Sequence, residues 1–265
     1  MEAWPEPHRT SKPAANTLAL VARQKRAAGP ILALTLAGWA FLTWLVLDMS
    51  HPYAQLTMPG SSGWSAANAL AIYAMWGVMM AAMMLPSALP MILTFVDISR
   101  RTGEPARASS FVAAYLFVWL AFSAVAVAAQ WALQALDWLN PMIVSTSAWL
   151  TGALLLIAGL YQFSPLKRLC LSNCRTPIVF LLGEWRPGIH GAFAMGTRHG
   201  LFCLGCCWAL MALLFVGGVM NLAWIAALSI AVSVEKLFPG GERLSLGLGL
   251  ALIAVALIKW AAATA

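Results

Sequence analysis

The stretch His199-Gly200-Leu201-Phe202-Cys203-Leu204-Gly205-Cys206-Cys207-Trp208-Ala209-Leu210-Met211 gathers metal-binding side chains inside an otherwise apolar run. Read as a helix, it sets His199, Cys203, Cys207 and Met211 at i, i+4, i+8 and i+12, with Cys206 beside Cys203 at i+3. One flank then carries an imidazole, three thiols and a thioether, the soft and borderline donors that select Cu(I), zinc or an iron–sulfur cluster over magnesium or calcium. The opposing reading treats these cysteines as small, weakly polar packing residues. Cys203 and Cys206 also have CxxC spacing, but no strand precedes them, which makes a thioredoxin-like redox disulfide the weaker version.

Two other groups extend the same chemistry. Cys170 and Cys174 are at i and i+4 if their segment is helical, and flanking Lys167, Arg168 and Arg175 favour the thiolate form, suited to accepting a metal from a cytosolic donor. Met75, Met79 and Met83 share one helical stripe and Met80 and Met84 a neighbouring one. The methionines between 79 and 91 are denser than gap-filling requires, and thioethers are useful Cu(I) ligands along a low-dielectric route. Pro86 and Pro90 follow and are expected to kink or break that helix. His51 and Met58 are candidates for an exit or acceptor position, with an incidental role equally open. Arg198 is expected to snorkel at an interface, and Glu235-Lys236 reads as a self-compensating pair at a helix end.

The elements that must hold these residues are set by composition. Hydrophobic residues make up 62% of the 265 and charged residues 9%, against about 45–50% and about 25% in soluble domains. The excess has to face lipid, so the fold expected is all-α, a polytopic membrane helical bundle. Apolar runs place seven transmembrane helices, at about 30–48, 68–96, 111–136, 148–163, 199–220, 222–234 and 244–260. The piece Ile178–Leu182 is too short to cross and reads as interfacial or re-entrant. Residues 1–29 are polar and lack a signal-peptide pattern, giving a flexible cytosolic tail ahead of one transmembrane domain over 30–265. With the N-terminus cytoplasmic, fifteen of the sixteen Lys and Arg fall on the cytosolic side and only Lys259 lies outside it. The net charge of +7 therefore reads as orientation in the bilayer and not as nucleic-acid binding. Five cysteines, an odd number, argue against a secreted disulfide framework.

Several separated blocks carry a resemblance: MWGVMMAAMMLPSALP, YQFSPLKRLCLSNCRTP, and GTRHGLFCLGCCWALM with VMNLAW and Glu235-Lys236. Together they resemble a bacterial family of uncharacterised, predicted metal-binding integral membrane proteins, domain of unknown function 2182 (DUF2182), over roughly residues 65 to 260. The resemblance implies a cytoplasmic (inner) membrane protein with a metal site and assigns no reaction.

The leading expectation is a membrane protein handling Cu(I) through His199, Cys203, Cys206, Cys207 and Met211. Cys170 and Cys174 receive the metal from a donor protein, and Met79, Met80, Met83 and Met84 continue the path. Zinc and iron remain open with the same donors. Transport and delivery to an acceptor both fit, and the missing energy-coupling motif favours delivery or passive conduction over pumping. Two alternatives stand beside it: a metal-dependent membrane oxidoreductase, or a structural membrane partner with non-liganding thiols. No Ser-His-Asp set, phosphate-cradling glycine motif, HExxH or pair of carboxylates lies within a span, so soluble-type hydrolytic chemistry is unsupported.

Overall fold

A computed structural model describes residues 22, 25–59, 63–104 and 107–264, and the tail expected over 1–29 falls mostly outside the described residues. The chain is helical throughout, and among the described residues the one β feature is an isolated bridge between Leu139 and Ser145. In chain order the helices are α1 (Lys25–Leu47), α2 (Pro52–Thr57), α3 (Ala66–Arg101), α4 (Arg107–Ala135), α5 (Ala148–Tyr161), α6 (Pro165–Arg175), α7 (Pro177–Glu184), α8 (Gly188–Ala212), α9 (Leu214–Gly217), α10 (Leu222–Leu237) and α11 (Gly241–Thr264). This is the all-α bundle that the apolar periodicity predicts.

Helix α3 is the centre of the bundle. Of its most apolar window 72% is buried, against 17% for α11 and 28% for α1. A helix surrounded on most sides must be apolar nearly all round, and α3 meets this with methionine, alanine and leucine. It packs on α1 and α4, while α4 packs on α8, and α5 pairs with α11. Ser65 starts α3 with a reciprocal capping box to Asn68, satisfying first-turn amides that would otherwise be orphaned.

Pro86 and Pro90 do not interrupt α3, which runs as one 36-residue helix through both. The expected break appears at neither proline, and side chains bond to carbonyls near them. Ser87 Oγ donates to Met84 O (2.9 Å), Tyr115 Oη to Met84 O (3.2 Å) and Thr94 Oγ1 to Pro90 O (2.7 Å).

Length and composition support five or six spans where seven were expected. Helices α1, α3, α4, α11 and the run Gly188–Gly217 are each long and apolar enough to cross a membrane, and α5 with α6, bent by 64°, would supply a sixth. The expected fourth span is the 14-residue α5, and the expected sixth is the 16-residue α10. At 1.5 Å per residue these reach only about 21 and 24 Å, short of a hydrocarbon core of about 30 Å.

Candidate metal centre

Helix α8 places its chemistry as the spacing predicts. His199, Cys203, Cys206, Cys207 and Met211 are all buried, on a helix that packs on α4 and α6 and meets α3 through Met84. The helix lies close to its neighbours because glycines line the approach. A Cβ at Gly196 would come within 2.3 Å of Phe111 O on α4, and one at Gly205 within 2.7 Å of Cys170 Sγ on α6.

Helix α6 follows the bend after α5 and brings its own sulfur to α8. It is helical, so Cys170 and Cys174 are one turn apart. The Cys174 thiol, half-buried, lies near the Cys203 and Cys206 thiols. Cys170 is buried against Gly205, whose carbonyl accepts a hydrogen bond from Tyr161 Oη. From α3, Met84 brings its Sδ to 4.0 Å from Cys207 Sγ. Soft donors from three helices therefore converge: Cys174 from α6, Cys203, Cys206 and Cys207 from α8, and Met84 from α3.

Met79, Met80, Met83 and Met211 are fully buried in the same core. Among the described residues none of them accepts a hydrogen bond from a thiol, which separates Met84 from the rest of its stripe.

In the geometry described, Cys206 and Cys207 both turn their thiols back to Cys203 O, at 3.1 and 2.9 Å. Among the described residues no three His, Cys, Asp or Glu side chains form a ready-made cage for a metal. The donor set nevertheless fits a soft monovalent ion, which takes as few as two sulfur ligands. Rotation about χ1 is enough to release a thiol from the carbonyl, because the sulfurs are already neighbours.

His199 sits one turn before Cys203 in an aromatic enclosure formed by Tyr115 (5.5 Å between ring centroids), Phe180 (5.8 Å) and Phe111 (6.0 Å). Among the described residues neither ring nitrogen has a hydrogen-bond partner, although the residue is buried. Buried polar atoms without partners are uncommon and costly.

The cation beside the thiols is not one that flanks them in sequence. Lys167 is buried and pairs with Glu235 at 2.8 Å; it also donates to Gln162, and Ser245 Oγ donates to Gln162 Oε1 (2.8 Å) and Glu235 Oε1 (2.9 Å). Arg175 is committed to Phe238 O (2.8 Å) and lies 3.8 Å from Glu242. Lys236 instead extends into the bundle, with Nζ 2.9 Å from Cys203 Sγ and 3.2 Å from Ser87 Oγ. Tyr115 Oη completes the surroundings of Cys203 at 3.1 Å.

Glu235 and Lys236 are thus not a self-compensating pair. Consecutive helical residues diverge by about 100° and do not face each other, so one side chain turns to Lys167 and the other to Cys203. That divergence is the signal in the sequence that a pairwise reading of Glu235-Lys236 overlooks. It also alters the charge argument, since Arg107, Lys167 and Lys236, three of the fifteen charges assigned to the cytosolic side, are buried.

The other flagged groups have local roles. His51 caps α2 by accepting from Tyr53 N (3.2 Å), and Arg198 pairs with Glu184 at 2.7 Å while half exposed.

No curated protein and no solved structure matches the chain. A family described as copper chaperone, PpoB2, does match, over residues 73–259. Those residues run from the first turns of α3 to near the end of α11 and include all the sulfur donors described above. By that match, over more than two thirds of its length, the chain belongs to the copper chaperone family.

Proposed function

We propose that this protein is a multi-pass protein of the bacterial cytoplasmic membrane that holds Cu(I) on Cys203 and Cys206 of α8, with Cys174 of α6 as the exchanging thiol and Met84 as a weak further ligand. It passes the ion to an acceptor protein. The observation that carries this reading is the approach of soft donors from α3, α6 and α8 to one another in a chain of the copper chaperone family. Neighbouring sulfurs suit delivery, because an ion can move from one thiol to the next without being released to water.

Membrane insertion is supported by the outward faces. Leu36 (69% exposed), Leu47 (80%) and Val125 (64%) sit on long apolar helices, and such surface is stable only against lipid or another apolar partner. We take α5 and α10 as short spans that complete the bundle, with the N-terminus in the cytosol. The residues that resemble DUF2182 and those that match the copper chaperone family nearly coincide, so we read the two as one family. Met79, Met80, Met83 and Met211 are buried in the same core as the thiols, and we keep them with His199 and Cys170 as candidates along the path.

The test is Cu(I) binding by the detergent-purified protein in competition with a chromophoric Cu(I) chelator. The wild type retains one Cu(I) per chain. The C203S/C206S variant loses it while keeping its helical circular dichroism, and C174S keeps the ion but slows its transfer to the chelator. A wild type that competes no better than C203S/C206S sinks the reading.

A further inference from the structure

Three ionisable side chains on α6 and α10 are buried: Lys167, Glu235 and Lys236. Lys167 occupies both oxygens of the one carboxylate, at 2.9 and 2.8 Å. Lys236 has no carboxylate within salt-bridge distance among the described residues; its contacts are Cys203 Sγ and Ser87 Oγ. Ser87 offers only a dipole, since its proton goes to Met84 O. The C-terminus of α10 carries partial negative charge, but the ammonium is directed away from the terminal carbonyls and into the bundle. A buried cation is costly without a compensating anion. The anion in reach is sulfur, either Cys203 alone or Cys203 as part of a metal–thiolate group.

We propose that Lys236 is the fixed counter-cation of the cargo site and selects a monovalent soft ion over a divalent one. The proposal rests on the copper reading above. The selection follows from charge. A monovalent ion held by two thiolates carries a net charge of −1, which the ammonium cancels. A divalent ion on the same two thiolates is neutral and leaves the ammonium uncompensated in a low-dielectric interior. Lys236 therefore acts as a positioning and specificity residue through Cys203, without itself being a ligand.

The experiment measures Cu(I), Ag(I) and Zn(II) affinities by competition for wild type, K236Q, K236R, C203S and K236Q/C203S. K236Q keeps a hydrogen bond available to Ser87 but lacks the charge. The expected result is a fall of at least about tenfold in Cu(I) and Ag(I) affinity in K236Q, with Zn(II) unchanged or tighter. K236R stays within about threefold of wild type in the Cu(I)-to-Zn(II) ratio, because the charge is retained. Against the C203S background, the K236Q effect on monovalent ions disappears. Equal losses of Cu(I) and Zn(II) in K236Q, or no loss of either, would overturn the proposal. Should K236Q fail to fold, the K236R ratio decides alone, and a change greater than threefold overturns it. Failure of the copper reading itself is distinguishable, because the wild type then binds no Cu(I) at all.

Discussion

Lys167 Nζ lies 2.8 Å from Glu235 Oε2 across 68 positions of sequence, with both side chains withdrawn from solvent. The contact ties α6, which carries Cys170 and Cys174, to α10, which carries Lys236. Helix α6 has only 11 residues and follows a 64° bend, so its position over α8 depends on tertiary contacts more than on its own helicity. Removing one member of a buried pair leaves the other charged and unpaired, at about 3–5 kcal/mol. K167M and E235L should each lower the thermal unfolding midpoint in detergent. The K167M/E235L double variant should recover part of that loss, since an apolar pair replaces a desolvated one. Additive losses would show that the two residues do not stabilise each other.

Met84 is the methionine whose thioether reaches a thiol, at 4.0 Å from Cys207. A Met-to-Leu change nearly conserves volume and costs under about 1.5 kcal/mol in a core, so the stability effects of M79L, M80L, M83L and M84L should be small and similar. Their copper effects should differ. M84L is expected to weaken Cu(I) binding by about tenfold, or ~1.4 kcal/mol, with M79L, M80L and M83L within about threefold of wild type. Equal losses across the four variants would favour a continuous methionine route over a single thioether ligand.

The sequence made one helix of the site legible and hid its partners. The spacing of His199, Cys203, Cys206 and Cys207 fixes their common flank because helical periodicity acts over a few residues. That Cys174 meets Cys203 and Cys206 depends on the bend between α5 and α6 and on how closely α6 approaches Gly205, neither of which local pattern encodes. A proline's lost backbone donor is visible in sequence, whereas whether the helix breaks there is decided by packing, and α3 runs unbroken through Pro86 and Pro90. Apolar runs located the long helices, although α8 begins at Gly188, well before the expected start near His199. They could not separate full spans from the shorter α5 and α10, because the interior of a bundle is as apolar as its lipid-facing surface.

Two glycines of α8 should respond differently to alanine. At Gly196 the added Cβ would meet Phe111 O at 2.3 Å, and a backbone atom cannot move aside without shifting α4 against α8. G196A should therefore cost several kcal/mol, about 2–4 by analogy with severe overpacking. At Gly205 the nearest atom is Cys170 Sγ at 2.7 Å, the end of a side chain that can rotate. G205A is expected to be milder in stability but to push α6 outward, slowing copper exchange. Thermal unfolding and the rate of Cu(I) transfer to a chelator separate the two effects. A G205A protein that melts as early as G196A would show that Cys170 is rigidly held.

His199 gives the clearest separation of stability from function. Its two ring nitrogens are buried between Tyr115, Phe111 and Phe180 without partners among the described residues, and an unsatisfied buried polar atom costs about 1–3 kcal/mol. Phenylalanine has a similar shape and carries no such penalty, so H199F should unfold at a higher temperature than the wild type when both are metal-free. If the imidazole is held there to meet the cargo beside Cys203, the same substitution should weaken Cu(I) binding by at least about tenfold, or ~1.4 kcal/mol. H199Q, which keeps the polar atoms but cannot reproduce the imidazole, should lose affinity without gaining stability. A stabilised H199F with unchanged Cu(I) affinity would remove His199 from the ligand set and leave binding to the sulfurs alone.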